Sequence, residues 1–316
     1  MLEIIKYDAN KHAPLWDSFV LKSNNGTIFH LRKFLSYHKE RNFQDCSFIF
    51  QNKNNVEALF TGAVIDGVLY SHPGASFGGF IYNELSFESG RKIVELLLKF
   101  AQKNNLKELV IVPTPFIYCS QYNEVMEYCL YINGFNTIEY YISSFVNLEL
   151  NLFNQMHNRK KRYIKKMENE IEIKLSTDLD GFYPILINNK LKHKAKPTHT
   201  LEELKILMNK FPNQIKLLLS YKDNQIIGGA LNFIANKNSC ILFYNMIDYE
   251  YQSLQVSSLQ IYASLIWAKE NNLKFLDIGV SQLYEGNQII PHESLINFKE
   301  QFGAKTMIRK VMKLKL

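Results

Sequence analysis

The sequence has little that staples or coordinates. Four cysteines, Cys46, Cys119, Cys129 and Cys240, stand among 316 residues, and none belongs to a CxxC pair. No Cys/His run has the spacing of a structural zinc site, so neither a disulfide scaffold nor a zinc module is expected, and no metal is assigned. Glycine and proline are sparse, at 14 and 8 residues. No Pro/Gly-rich hinge or low-complexity tract interrupts the chain, which argues against a fibre, a disordered protein and widely separated domains. Long apolar runs are missing too. The first twenty residues carry Glu3, Asp8 and Asp17 without a long apolar core, so neither secretion nor a transmembrane helix is expected. The location implied is cytoplasmic, with the inner face of a membrane as its furthest extension. The chain also lacks a GxxxxGK(S/T) phosphate loop, a zinc-finger pattern and an RNP signature.

What is present suits an enzyme of two domains. Hydrophobic residues make up 47% and charged residues 21%, enough apolar material for two cores at roughly 100–200 residues each. The net charge of +7 favours anionic partners. It is concentrated: residues 151–200 hold 11 Lys/Arg against 5 Asp/Glu. Within that stretch MHNRKKRYIKKMENE reads as a helix, with Met156, Tyr163, Ile164 and Met167 turned inward and Arg159, Arg162 and Lys166 on another side. Those cations are either a solvated face or anion ligands.

An internal repeat organises the rest. FAQKNNLKELVI at 100–111 and WAKENNLKFLDI at 267–278 agree at 7 of 12 positions with an offset of 167, and the same offset carries Gly62-Ala63 onto Gly229-Ala230. Each copy reads as paired strands, a helix, an Asn-Asn stop and a strand. Asp66-Gly67 and Asp223-Asn224 are turn positions between the paired strands. The class expected is therefore α/β (α+β), with mixed sheets flanked by helices. The domains expected are 1–150 and 151–316, the C-terminal tail returning to complete the first.

Several side chains stand where chemistry is feasible. Ser257 and Ser258 precede the second apolar helix, as a cap or as part of a phosphate site at the positive end of its dipole. Asp277 lies in the apolar strand FLDIGV opposite Val110 in the repeat register, where duplication gives no reason for a carboxylate. It is either an orienting acid or a structural partner. Gly279 follows it, and Ser281, His292 and Glu293 add polar atoms in an interval that also reads as a plain loop. Lys299 is either a solvated cation or a group that stabilises an oxyanion or binds phosphate. His193 and His199 are candidate substrate contacts ahead of Thr200, which starts a TxxE capping box with Glu203. Cys240, in CILFY, belongs to the core.

With DIGVSQ, SLINFKEQFGA and KHKAKPTHTLEEL in view, the chain resembles the Fem-type acyltransferase superfamily, whose members contain two GNAT-like domains. The resemblance runs from Trp16 and NGTIFH to Lys315 and is closest to short, acetyltransferase-like or peptidoglycan-bridge-formation-like members. It implies two tandem GNAT-like domains around a shared cleft and N-acyl transfer onto an amine of an amino sugar or a cell-envelope or polysaccharide precursor. Acyl-CoA is the leading donor, with aminoacyl-tRNA, and hence tRNA as a partner, the alternative. A noncatalytic phospholigand-binding protein is the further alternative. The resemblance brings Asp277 to the strand end and Phe298 and Lys299 beside the reacting channel, and gives Arg159 and Arg162 to a donor or acceptor phosphate. With these, Asp277 and Lys299 are the expected catalytic groups. From the reading of the residues, Ser257 and Ser258 join Arg159 and Arg162 as expected donor contacts, and His193, His199, Ser281, His292 and Glu293 join Phe298 as expected acceptor contacts. The chain departs from an acyl-CoA GNAT in DYEYQSLQVSS, which lacks the glycine of a pyrophosphate loop, and from larger Fem-type enzymes in having no inserted heptad arm.

Overall fold

Ile93, Val94, Leu97 and Ala101 recur at helical spacing and form the buried stripe of helix α3 (Phe87–Lys103), which starts where the Ser86 side chain accepts from the Ser89 N–H. Asn104 and Asn105 end it, and strand β8 (Glu108–Ile111) follows. The second copy builds the same pair, α9 (Val256–Glu270) and β14 (Phe275–Val280). The computed structural model describes residues 2–37, 43–53, 55–71, 73–286 and 288–316. It divides into two units, Met1–Tyr141 with Ile308–Leu316, and Ile142–Met307.

Unit 1 begins with β1 (Leu2–Lys6), α1 (Ala9–Lys22) and α2 (Arg32–Leu35). It continues through β2 (Gln44–Asp45), β3 (Phe48–Asn52), β4 (Asn55–Thr61), β5 (Ala63–Ile65), β6 (Val68–Tyr70) and β7 (Gly79–Tyr82) to α3. After β8 come α4 (Val125–Ile132) and β9 (Asn136–Asn147), which runs on into unit 2. One antiparallel sheet has the order β1-β3-β4-β7, and strands β2, β5, β6 and β8 follow one another in a second. Strand alternation separates two apolar layers. Phe48, Phe50, Ala58 and Phe60 join the core under α3, while Ile49 and Leu59 face Trp16 and Val20 of α1. Asp66 and Gly67, both at positive φ, make the β5–β6 turn.

Unit 2 contains α5 (Leu152–Gln155), α6 (Asn158–Met167), β10 (Glu172–Ser176), α7 (Leu179–Lys192) and α8 (Leu201–Lys210). Strands β11 (Ile215–Lys222), β12 (Gln225–Ile234) and β13 (Ser239–Ile247) precede α9 and β14. The hairpin β15 (Gln282–Glu285) and β16 (Gln288–Pro291), helix α10 (Glu293–Glu300) and strand β17 (Lys305–Lys315) close the chain. Strands β10 to β13 pair antiparallel in sequence order, and β13 pairs parallel with β14. The capping box of Thr200 and Glu203 opens α8, and Asp223 and Asn224 turn β11 into β12 at positive φ.

The duplication extends to sheet register. Glu108, Leu109 and Val110 pair with β6, and their counterparts 167 residues on, Phe275, Leu276 and Asp277, pair with β13, parallel in both cases. The next strand is exchanged along the sequence. β8 is flanked by β17, the last strand of the chain, and β14 by β9, which follows α4. The repeated glycines have one steric reason. A Cβ at Gly62 would lie 2.7 Å from the Phe60 ring, and one at Gly229 2.7 Å from the Phe182 ring.

Candidate functional site

The parallel pairing of β13 and β14 covers only Ser239–Ile241 against Phe275–Asp277, so the two strands part at Asp277. β14 bulges there: its pairing with β9 jumps from Asp277 to Val280, and Gly279 takes φ +80°. A Cβ at Gly279 would meet no described atom within 4 Å, so the backbone faces open space. The end of a parallel strand, where it separates from its neighbour, leaves main-chain groups for a ligand.

Asp277 holds this bulge. It is fully buried, and its Oδ1 accepts from the Gly279 N–H at 2.7 Å and from Ser143 Oγ at 3.2 Å. Lys299, also buried, reaches the same place from α10, its ammonium donating to the carbonyls of Gly279 at 2.7 Å and Val280 at 3.0 Å. Ser281 is buried with an Oγ that has no partner among the described residues. The carbonyl of Ser281 accepts from the His292 N–H, whose ring caps α10, while Glu293 is exposed. Asp277, Gly279, Ser281, His292 and Lys299 are thus brought together.

A second buried cation, overlooked in the sequence, packs against α9 and α10. Lys160 of α6 is 5% exposed; its Nζ donates to Ser258 Oγ at 3.0 Å and lies 4.6 Å from the Phe298 ring centre. Burial, then the neighbouring Arg159 charge, lowers its pKa. The signal was spacing: Met156, Lys160, Ile164 and Met167 all fall on the buried side of this segment. Arg159 and Arg162 are exposed on α6.

Ser257 and Ser258 have separate roles. Ser258 is fully buried, its hydroxyl accepting from the Lys160 ammonium. Ser257 Oγ accepts from Asn245 Nδ2 at 2.8 Å and lines a cavity of about 240 Å³ with His193, Lys190 and Tyr249. His199 is buried, with Nδ1 3.0 Å from the Tyr244 hydroxyl and its ring 5.0 Å from Phe243. Cys240 is buried, its thiol pushed well up by burial and by Asp277. Among the described residues no three His, Cys, Asp or Glu side chains gather as a metal-binding group, and no helix is long and apolar enough to cross a membrane.

The chain is similar in structure to FemX, at TM-score 0.74 and 12% identity, over 99% of this chain and 97% of that one. It is also similar to the C-terminal domain of a putative lysylphosphatidylglycerol synthetase from Agrobacterium fabrum, at TM-score 0.63 and 10% identity over 97% and 92%. A tandem GNAT protein from the clavulanic acid biosynthesis pathway aligns at TM-score 0.57 and 9% identity over 100% and 98%. No protein-family model and no curated protein matches the sequence. The chain therefore shares the fold of these structures, two tandem GNAT-like units. At these identities the likeness is one of fold.

Proposed function

We propose that the chain is an N-acyltransferase whose reaction takes place in unit 2 at the open end of β14. The observation that carries this is the parting of β13 from β14 beside Gly279, with two buried ammonium groups, Lys299 and Lys160, in the surrounding structure. In direct transfer, an amine nitrogen attacks the donor's carbonyl carbon, the carbonyl oxygen gains negative charge, and the C–S or C–O bond to the leaving group breaks. The amine's proton passes to a base or to water. Lys299 supplies positive charge near the strand end for the developing oxyanion. Asp277 acts as a positioning residue, because its carboxylate is enclosed and bonded to the bulge it shapes. Phe298 and Lys160 form the wall beside them. The acceptor class we favour is an amino sugar or an amine-bearing envelope or polysaccharide precursor.

Acyl-CoA is the first reading for the donor, with its phosphates near the start of α9. Gln255 there adopts φ +39° and gives no side-chain cap, leaving early N–H groups for an anion. A specific observation favours the second donor, aminoacyl-tRNA. The segment ahead of α9 is the glycine-free 3-10 turn Tyr249–Leu254, with Asp248 and Glu250 at its start, charges that oppose a pyrophosphate. Arg159, Arg162, Lys165 and Lys166 instead present an exposed row suited to a phosphate backbone.

Calorimetric titration separates the two. Under the CoA reading, acetyl-CoA binds, and Arg159→Gln with Arg162→Gln changes its affinity by less than about threefold. Under the tRNA reading, charged tRNA binds with a steep salt dependence whose log–log slope falls by about 1–2 in the double variant. Binding of neither donor would count against both readings.

A further inference from the structure

We propose that unit 1 carries a second ligand site, at the end of β8, that takes an organic ammonium ion with an apolar body. The 167-residue offset carries Ser281 back onto Thr114, four residues beyond Val110 just as Ser281 lies four beyond Asp277. The two positions share an unusual state. Thr114 is 9% exposed, Ser281 is fully buried, and neither hydroxyl oxygen has a partner among the described residues. A buried hydroxyl without a partner is costly unless a ligand or water completes it.

Thr114 lines a cavity of about 200 Å³ contained in unit 1. Its apolar wall includes Tyr82, Pro113, Pro115, Phe116 and Ile308, and α4 contributes Glu127 with Glu124 just before its first residue. Aromatic faces and carboxylates both attract cations. Lys310, also in the lining, is paired with Glu127, and Arg309 lies 5.8 Å from the Phe77 ring centre.

Glu124 and Glu127 act on the groups around this cavity, whose lining also holds Arg309 and Lys310, although the whole chain carries +7. Burial disfavours charge on Lys310, yet its hydrogen bond to Glu127 and the fields of Glu127, Glu124 and Tyr140 outweigh that, and its pKa is raised. The Tyr122 hydroxyl is pushed up by its hydrogen bond to Glu124. The Cys119 thiol is pushed up to about 12, by burial and then by Glu127. An ammonium gains from this environment what an anion loses. The ligand's body would occupy the aromatic and proline wall, with its head toward Glu124 and the Thr114 hydroxyl.

This site does not rest on the transfer reaction, and its test uses no acyl donor. Three probes of similar shape, phenethylammonium, 3-phenylpropanol and 3-phenylpropionate, are titrated into the full chain, with affinity and backbone amide shifts followed by NMR. The ammonium should bind at least about tenfold more tightly than the alcohol, and the carboxylate more weakly still, with shifts centred on Thr114, Glu124 and Lys310. Glu124→Gln, an exposed substitution, should erase most of the preference for ammonium while leaving alcohol binding within about twofold. Equal affinity for the three probes, an undiminished preference in Glu124→Gln, or shifts confined to other residues would overturn the proposal. None of these outcomes bears on acyl transfer in unit 2.

Discussion

Lys160 is bonded to a neutral hydroxyl and set over aromatic rings, an environment that charges an amine at a cost. The sign of its effect on stability follows. Its pKa is lowered in the folded protein, so the folded state bears the full penalty below that value. The penalty disappears as pH rises towards the ordinary value of 10.5, and stability increases through that window. Urea unfolding of the wild type and Lys160→Met at pH 7 and pH 10 measures this. The wild type should gain on the variant at the higher pH, and a difference independent of pH would show that burial does not disfavour the charge. His199 shows what side-chain type leaves out: a histidine in a polar, lysine-rich segment reads as a ligand, and Tyr244 and Phe243 pack against it. Those partners are more than forty residues away along the chain, and no local pattern announces them.

At the scale of elements, the local signals were legible. The apolar stripes of α3 and α9, the Asn-Asn stops, the turns at Asp66-Gly67 and Asp223-Asn224 and the capping box at Thr200 all depend on neighbours within a few residues, which a sequence displays directly. Pairings made over long distances were not. That β9 flanks β14 is decided by sheet completion and leaves no local trace. The bulge at Gly279 and the cavity beside Thr114 likewise arise from packing of distant segments. The stripe of α3 gives a direct test of its role in the unit 1 core. Leu97 is fully buried, so Leu97→Ala should lower unfolding free energy by about 2–5 kcal/mol, read from the denaturation midpoint. A loss under about 1 kcal/mol would mean that this helix is not a principal cover of the sheet.

For the whole molecule, one unit of paired strands, helix and parallel strand occurs twice, and the two copies differ where chemistry would reside. Val110 is apolar where Asp277 is a buried acid, and Val112 stands where Gly279 opens the backbone. Duplication supplied the frame, while the bulge, Lys160 and Lys299 belong to the second copy alone. The most direct measurement is a mass-resolved transfer assay that crosses acyl-CoAs and charged tRNAs with amino sugars, peptides and lipid-linked envelope precursors. An N-acyltransferase will give an acceptor heavier by one acyl group, and Lys299→Met, still folded, will reduce its turnover by about 10²-fold or more through loss of oxyanion stabilisation. Absence of product from every donor and acceptor pair, with an acceptor bound tightly and released unchanged, would contradict transfer and make the chain a binding protein.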